Sequence, residues 1–248
     1  MKAGRKTVLL TGGAGAIGRG LVRDLSGDNQ LIVLDRDEAA LSELHHSCPE
    51  AVTYLCDLAS SEDVAATVES IYSDRHKVDI LINNAGTIHS EPLISPLKRP
   101  DPKHDPGAWH RTIENNLHSV FYVTSCIVER MAALRTRGVV VNVSSIAAAG
   151  NAGQSAYSAA KAAVNALTKT WSRELAPFGI RVAAVAPGFL DVASTRKALP
   201  EKCIDQWVRQ TPAGRLGTPR ELSLAVRFII ENDYFNGRIL ELDGGLTI

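Results

Sequence analysis

Short apolar runs alternate with amphipathic segments of helical periodicity along this 248-residue chain. The predicted strands are Thr7–Thr11, Leu31–Asp35, Val52–Asp57, Ile80–Asn83, Val139–Val143, Arg181–Ala186 and Ile239–Leu242. The predicted helices are Arg19–Leu25, Ala39–His46, Ser61–Asp74, His110–Ala133, Ser155–Ala176 and Glu221–Ile230. Near-continuous Val, Ile and Leu is typical of strands that are covered on both faces. The pattern therefore predicts an α/β fold, in which one doubly wound parallel sheet of about seven strands is flanked by helices in a single domain, 1–248.

Two segments interrupt this alternation, and both follow predicted strands on the side where such folds bind ligands. Residues 90–107 contain five prolines, a density that excludes regular helix and central strand, so we expect a long surface loop there. Residues 190–217 are a second irregular region, with a short helix predicted at Ile204–Arg209. We expect this region to be a lid over the substrate. Surface decoration or an oligomer contact is the alternative for both segments.

Composition excludes several classes of partner. Lys plus Arg and Asp plus Glu both number 27, so no net field would attract nucleic acid or an anionic membrane. The longest apolar runs are too short to cross a bilayer, and the first strand begins too close to Met1 for a targeting sequence. The four cysteines are scattered without zinc-ligand spacing, so no metal site is predicted. We expect a soluble cytoplasmic protein.

A glycine-rich turn, Thr-Gly-Gly-Ala-Gly-Ala-Ile-Gly, joins the first predicted strand to the first helix. Gly12, Gly15 and Gly18 would let the backbone approach a pyrophosphate, whose charge the N-terminus of the following helix stabilises. With Ile17, they form the predicted cofactor-binding turn of a Rossmann-type fold. A simple turn is the alternative, but the strand before it and the helix after it supply the context that the motif requires.

A carboxylate, Asp35, ends the second predicted strand. It can accept hydrogen bonds from both hydroxyl groups of an adenosine ribose and would repel a 2′-phosphate, which favours NAD over NADP as the cofactor. Arg36 counts against this prediction, because a guanidinium beside that position could neutralise a phosphate. A solvated loop arginine is the alternative interpretation of Arg36.

Further polar residues end strands at the same edge of the sheet. Asp57, followed by Leu58, closes the third predicted strand, where a carboxylate could meet the adenine amino group or belong to a simple turn. The fourth strand ends in Asn-Asn-Ala-Gly. Its second amide, Asn84, and the small residues after it suit close approach of a cofactor and would also tie strand ends together.

Tyr157 and Lys161 lie four residues apart in Ser-Ala-Tyr-Ser-Ala-Ala-Lys, a spacing that places both side chains on one face of a helix. A phenol titrates near pH ~10 in water, so it needs help to transfer a proton at neutral pH. An ammonium fixed one turn away is expected to lower the pKa of Tyr157. The pair alone is a weak motif, because any Ala-rich helix can carry it.

These pieces, in this order, resemble the short-chain dehydrogenase/reductase family over essentially the whole chain. The residues that carry the resemblance are the glycine-rich turn, Asp35, Asn83-Asn84-Ala85-Gly86, Asn116 before Leu117, Ser144-Ser145, Tyr157 with Lys161, and Pro187-Gly188. The resemblance implies an oxidoreductase that interconverts a secondary alcohol and a ketone with a nicotinamide cofactor.

The resemblance implies a role for each matching residue. Tyr157 would be the general acid in reduction and the base in oxidation, while Lys161 would hold the nicotinamide ribose and tune the phenol. Ser145 would donate a hydrogen bond to the substrate carbonyl. Asn116 would anchor a water that connects Lys161 to solvent, and Leu190 would present backbone groups to the nicotinamide carboxamide.

Three positions depart from the family pattern. Ala16 stands where the family has glycine, with Gly15 before it. The catalytic serine is either Ser144 or Ser145, and Ser145 is preferred because it immediately precedes Ile-Ala-Ala. Val192 stands where a threonine is often found, so a hydroxyl contact to the carboxamide would be lost and a backbone contact would remain.

Two subfamilies compete for the substrate. The segment Gln210–Pro219 and the closing Leu-Asp-Gly-Gly resemble 3-oxoacyl-[acyl-carrier-protein] reductases, which usually prefer NADPH and lack a long loop after Asn-Asn-Ala-Gly. Leu199-Pro200-Glu201-Lys202, Ile229-Ile230-Glu231-Asn232 and Phe235-Asn236-Gly237 resemble type 2 3-hydroxyacyl-CoA dehydrogenases. That group carries the strand-ending Asp and an insertion near residues 90–106, so a CoA thioester is the favoured substrate. The residues that could meet CoA phosphates, or be solvated loop charges, are Lys98, Arg99, Lys103, Arg196 and Lys197.

Broader alternatives stay open. The substrate could be another small alcohol or a sugar, and the protein could be a non-catalytic NAD-binding scaffold on the same fold. The intact set of Asn116, Ser145, Tyr157 and Lys161 argues against a scaffold, because a protein that only binds does not need all four. The resemblance also suggests a homotetramer, with the Ser155–Ala176 helix and the C-terminal strand at interfaces.

Overall fold

A computed structural model describes residues 6–74, 77–98, 100–198 and 201–247. Seven parallel strands form one sheet in the order β3-β2-β1-β4-β5-β6-β7. They are β1 Thr7–Thr11, β2 Gln30–Asp35, β3 Val52–Leu55, β4 Ile80–Asn83, β5 Val139–Val143, β6 Arg181–Pro187 and β7 Ile239–Leu242. The order reverses between β1 and β4, which creates a crevice at the carboxyl ends of the strands. The predicted α/β doubly wound sheet is confirmed.

Helices cover both faces of the sheet. They are α1 Ala16–Ser26, α2 Glu38–Ser47, α3 Ser61–Ser73, α4 Pro106–Ile113, α5 Ser119–Ala133, α6 Ser155–Glu174, α7 Ala193–Ala198, α8 Glu201–Gln210 and α9 Pro219–Glu231. One apolar layer packs α1, α2 and α9 on the sheet, and the other packs α3 and α5. Val8 and Leu10 of β1 enter the first layer and Leu9 enters the second. Because successive side chains alternate between two buried faces, the strands read as continuous apolar runs.

The predicted helix His110–Ala133 differs from the observed one at its start and in its middle. It begins earlier, at Pro106, because Asp105 accepts hydrogen bonds from the backbone N–H groups of Gly107 and Ala108 and proline suits the first turn. Residues Glu114–His118 then form a π-helical turn between α4 and α5. Such turns are frequent at functional sites.

The two segments predicted to be irregular differ from each other. The described residues between 87 and 105 lack helix and strand, whereas residues 190–217 contain α7 and α8 where only one short helix was expected. Between residues 87 and 105, the described residues form isolated bridges, Glu91 with Gln154 and Ile94 with Lys103, in place of helix or strand. The predicted short helix near Ile204–Arg209 lies within α8. The Trp207 ring of α8 packs against Phe189, with centroids 4.4 Å apart, and so fixes this helix to the segment that follows β6.

Some residues named above fall outside the described structure. Arg99, Leu199 and Pro200 lie outside the described residues, as do the side chains of Lys197 and Lys202. Among the helices that are described, none combines the length and apolar character needed to span a bilayer.

Candidate active site

A cleft of about 390 Å³ opens at the carboxyl ends of β1 to β4. Most of the residues predicted to bind the cofactor line this cleft. They are Gly12, Gly15, Ile17, Gly18, Asp35, Asp57, Leu58 and Asn84. The structure therefore brings most of the predicted nucleotide site together at the switch point of the sheet.

The glycine-rich turn is shaped by close backbone contacts. Gly12 has a positive φ of 64°, and its N–H donates to the Leu34 carbonyl at 2.8 Å. A Cβ atom at Gly18 would collide with the Gly12 carbonyl oxygen, so only glycine fits there. Ala16, by contrast, is exposed at the start of α1, so the methyl group that departs from the family pattern is accommodated.

The carboxylate of Asp35 is held by the turns around it. It accepts hydrogen bonds from the Ala14 N–H at 3.1 Å and the Asp37 N–H at 3.3 Å. The neighbouring Arg36 extends across the cleft and donates to Asn115 Oδ1 at 3.2 Å. Arg36 and Asn115 both line the cleft, so this hydrogen bond joins two of its walls.

The other two residues predicted near strand ends, Asp57 and Asn84, lie just beyond β3 and β4 and make different contacts. The side chain of Asp57 accepts from the Ala59 N–H at 3.1 Å in an exposed turn, which ends β3 at Leu55. The amide of Asn84 donates to the carbonyls of Thr11 at 3.0 Å and Gly12 at 3.1 Å. Asn84 thus ties the ends of β4 and β1 together, which is one of the two roles predicted for it, the other being contact with a cofactor.

Tyr157 lies in the first turn of α6 with only 9% of its surface exposed. Its hydroxyl is hydrogen-bonded to the hydroxyl of Ser145, which in turn accepts from the Ala147 N–H at 3.1 Å. Ser144 is directed elsewhere, because its hydroxyl donates to the Lys161 carbonyl at 3.4 Å. Of the two candidate serines, Ser145 is the one that contacts Tyr157.

Lys161 is a buried ammonium beside this pair. Its Nζ donates to the Val143 carbonyl at 2.9 Å and lies 5.7 Å from the centroid of the Tyr157 ring. Burial lowers the pKa of Lys161 to about 8, since desolvation disfavours the charged form.

The predicted lowering of the Tyr157 pKa is wrong for this structure. Burial of the phenol raises the pKa of Tyr157 above its ordinary value, and the hydrogen bond from Ser145 opposes this only in part. The physical reason is that burial of the ring desolvates the phenolate, while the Lys161 ammonium donates its hydrogen bond to the Val143 carbonyl.

Asn116 is fully buried in the π-helical turn. Its Nδ2 donates to the Thr87 and Thr112 carbonyls, both at 2.9 Å, and its Oδ1 accepts from the Thr87 N–H at 3.2 Å. A Cβ atom at Gly86 would lie 2.6 Å from Asn116 Oδ1 and 3.5 Å from Lys161 Nζ. Gly86 therefore lets Asn116 and Lys161 approach the same point.

Leu190 and Val192 are not part of the cleft lining. Both are buried in the same apolar layer as Ala14, against which Ile17 packs. The Leu190 carbonyl accepts from the Val192 N–H at 3.0 Å. Contact of these two residues with a cofactor stays a prediction.

Sequence reasoning missed three residues at the site. Thr11 accepts backbone hydrogen bonds from Asn84 and Ala85 through its hydroxyl, at 3.0 and 3.1 Å. Cys56 lines the cleft, and burial raises the pKa of its thiol to about 11. Asn115 lines the cleft, and the only sequence signal for it was its position next to Asn116.

The residues present fit a nicotinamide dinucleotide. In the described chain, no side chain caps the N-terminus of α1, which leaves backbone N–H groups of its first turn available to a phosphate. Gly12 and Gly15 keep that approach free of side chains, and the Asp35 carboxylate lies on the cleft wall at the end of β2.

Comparison with known proteins decides the family. Residues 6–203 match the model of the short chain dehydrogenases. The chain belongs to this short-chain dehydrogenase family. It is accordingly an oxidoreductase that acts on CH–OH groups with a nicotinamide cofactor, as the resemblance implied.

Similar short-chain dehydrogenases cover the whole chain. The 3-oxoacyl-[acyl-carrier-protein] reductase FabG of Thermotoga maritima is 33% identical over 256 aligned positions that cover 100% of both chains. The protein of that name from Vibrio cholerae is 34% identical and covers 97% of each. Among solved structures, gox2181 superposes with a TM-score of 0.88 at 29% identity, covering 98% of this chain and 96% of its own. A putative gluconate dehydrogenase from Agrobacterium tumefaciens gives 0.90 at 26% identity, covering 99% and 97%.

Proposed function

We propose that this short-chain dehydrogenase reduces the ketone of 3-oxoacyl thioesters with NADH. The observation that carries the proposal is the hydrogen-bonded pair of Ser145 and Tyr157 beside the buried Lys161. A ketone oxygen placed against both hydroxyls would accept a hydrogen bond from Ser145 and a proton from Tyr157. When bound, the nicotinamide supplies or accepts the hydride.

Lys161 is proposed to act on the Tyr157 phenolate that forms when the proton leaves. Its ammonium is fixed by Val143 and surrounded by protein, so little solvent screens its charge. Because burial raises the pKa of Tyr157, the phenol is protonated at neutral pH and can act as the proton donor. Asn116 and Gly86 are proposed to keep Lys161 in place.

The acyl thioester class is supported by the relatives and by the loop 87–105. FabG proteins similar over the full chain are named as 3-oxoacyl-[acyl-carrier-protein] reductases. Four apolar side chains of the loop are largely exposed, namely Ile88, Leu93, Ile94 and Leu97. The loop is bonded to the turn before Tyr157, where the Glu91 N–H donates to the Gly153 carbonyl at 2.7 Å. Apolar surface at this place suits an acyl chain.

We propose acyl carrier protein as the carrier of the acyl group in the physiological substrate, with CoA as the second candidate. Among the basic residues that could meet CoA phosphates, the three whose side chains the structure describes, Lys98, Lys103 and Arg196, are paired with carboxylates. Lys98 binds Glu91 at 2.6 Å, and Arg196 makes two hydrogen bonds to Asp191 at 2.7 and 2.9 Å. A phosphate would have to displace these acids, which weakens the CoA interpretation.

A spectrophotometric assay of NADH consumption tests the substrate class. The probes are acetoacetyl-[acyl-carrier protein], acetoacetyl-CoA, a simple ketone, and the keto form of a sugar acid. We expect kcat/KM for the two thioesters to exceed that for the simple ketone by at least about tenfold, since the carrier adds binding energy. Faster turnover of the sugar acid would contradict the thioester assignment and favour the activity named for the Agrobacterium neighbour.

NADH is proposed as the cofactor because Asp35 stands at the end of β2. Asp35→Ala is expected to lower the ratio of kcat/KM for NADH to that for NADPH by roughly 10- to 100-fold. This is the effect expected when hydrogen bonds from the ribose hydroxyls to a charged carboxylate are lost. The control is Asp57→Asn, which should leave the ratio unchanged because adenine is common to both cofactors. Preference of the wild type for NADPH would contradict the proposed role of Asp35.

A homotetramer is proposed from the family resemblance. Exposed apolar side chains on two helical surfaces, Trp109 and Phe121 on α4 and α5 and Leu224 and Phe228 on α9, support association. In this proposed tetramer, α6 and β7 lie at the interfaces between subunits.

A further inference from the structure

The loop 87–105 brings together three potential metal ligands that do not line the cofactor cleft. His89, Glu91 and His104 place their ligand atoms within 4.8 Å of one another. His89 and Glu91 are two residues apart, and His104 returns after the proline-rich turn. We propose that these three side chains bind a divalent transition-metal ion of the Zn²⁺ class.

Two of the three ligand-to-ligand distances already suit such an ion. Zn²⁺ binds histidine nitrogen and carboxylate oxygen at ~2.0–2.1 Å, so two ligands of a tetrahedral ion lie roughly 3.3–3.4 Å apart. His89 Nε2 is 3.3 Å from Glu91 Oε2, and His104 Nδ1 is 3.6 Å from the same oxygen. The ligand nitrogens of the two imidazoles lie within 4.8 Å of each other, and the ring centroids are 5.9 Å apart.

The surrounding hydrogen bonds orient the carboxylate for a single-oxygen contact. Lys98 Nζ donates to Glu91 Oε1 at 2.6 Å, which leaves Oε2 to face both histidines. A hydrogen bond of this kind to the non-ligating oxygen is usual around metal sites.

Competing contacts set the expected affinity. The Asp105 N–H donates to Glu91 Oε2 at 3.2 Å, and His104 Nδ1 lies 3.0 Å from the Asp105 carbonyl. An ion must weaken both contacts, and the positive Lys98 is close by. We therefore expect binding in the micromolar range, weaker than that of sites whose ligands have no other partner.

The position of the site gives the ion a structural consequence. The backbone of Glu91 is bonded to Gly153, and Gln154 Nε2 donates to Ser90 Oγ at 3.1 Å, immediately before α6. A metal held by both ends of the loop would clamp it onto the turn that precedes Tyr157. Binding itself does not depend on the proposed substrate or cofactor, so the two proposals can fail separately.

Calorimetric titration of metal-free, full-length protein with Zn²⁺ tests the site, and Co²⁺ serves as a spectroscopic probe. We expect one equivalent to bind, with the visible absorption of a four- or five-coordinate Co²⁺ ion. His89→Gln and His104→Gln should each weaken binding by at least about 100-fold, because the loss of a direct ligand costs more than the loss of an outer-shell partner. His46→Gln, in an exposed position on α2, is the matched control and should change nothing.

His89→Gln is the decisive variant, because the His89 side chain is 40% exposed and its replacement disturbs the loop least. Circular dichroism must show that each variant remains folded. Absence of saturable binding in the wild type would overturn the proposal. Equal affinity in the wild type, His89→Gln and His104→Gln would overturn it as well.

Discussion

Replacement of Tyr157 by Phe is expected to lower kcat by about 10²–10⁴-fold, the range that a positioned proton donor contributes. The substitution removes only the hydroxyl that is hydrogen-bonded to Ser145 and keeps the buried ring in the first turn of α6. NADH should therefore bind with an affinity within a few-fold of that of the wild type. Steady-state kinetics with acetoacetyl-CoA and fluorescence titration with NADH measure the two effects separately.

Tyr234→Phe is the matched control, because that side chain is 99% exposed and its hydroxyl faces solvent. It should leave kcat unchanged. Near-normal turnover of the Tyr157→Phe protein would remove Tyr157 as the proton donor. Loss of NADH binding in that variant would instead place the hydroxyl in cofactor binding.

Replacement of Lys161 by Met is expected to change how the free energy of unfolding depends on pH. Lowering of the Lys161 pKa to about 8 corresponds to a cost on the order of 3 kcal/mol for the buried ammonium. Methionine has no such cost, but it leaves the Val143 carbonyl without its donor, which costs about 1–3 kcal/mol. Near pH 7 the two effects largely cancel.

The direction of the pH dependence follows from proton binding. Below pH 8, Lys161 is charged in the folded and the unfolded protein, and the wild type bears the full cost. Between about pH 8 and the ordinary lysine value near ~10.4, the unfolded state binds the extra proton, so the stability of the wild type rises with pH. The Lys161→Met protein lacks this rise.

Urea unfolding at pH 7, 8, 9 and 10 measures the difference between the two proteins. We expect the wild type to gain about 2–3 kcal/mol relative to Lys161→Met over this range. Lys169→Met, at an exposed position two turns further along α6, should run parallel to the wild type. Parallel curves for Lys161→Met and the wild type would show that Lys161 has an ordinary pKa in the folded protein.

The fold was predictable because strand patterning is a local property. The bounds of β1, β4, β5 and β7 agree with the predicted ones, since buried parallel strands are continuous apolar runs between polar turns. The approach of Lys161 to Tyr157 on α6 was predictable from their spacing, because residues four apart lie on one face of a helix. In each case the signal lies in adjacent or regularly spaced residues.

The parts that could not be predicted depend on tertiary contacts. The direction of the Tyr157 pKa depends on how deeply the ring is buried, which no spacing reveals. The hydrogen bond between Arg36 and Asn115 joins two walls of the cleft that are far apart in sequence. The approach of His104 to His89 depends on the path of a proline-rich loop that has no periodic pattern.

The most direct test of the catalytic assignment is the fate of deuterium from NADH that carries two deuterium atoms at nicotinamide C4. The protein is mixed with this NADH and acetoacetyl-CoA, and the product is analysed by mass spectrometry and NMR. We predict one deuterium atom on C3 of a 3-hydroxybutyryl product for each NADH consumed. A product without deuterium at C3, or NADH that binds while the ketone stays unreduced, would contradict the role assigned to Ser145, Tyr157 and Lys161.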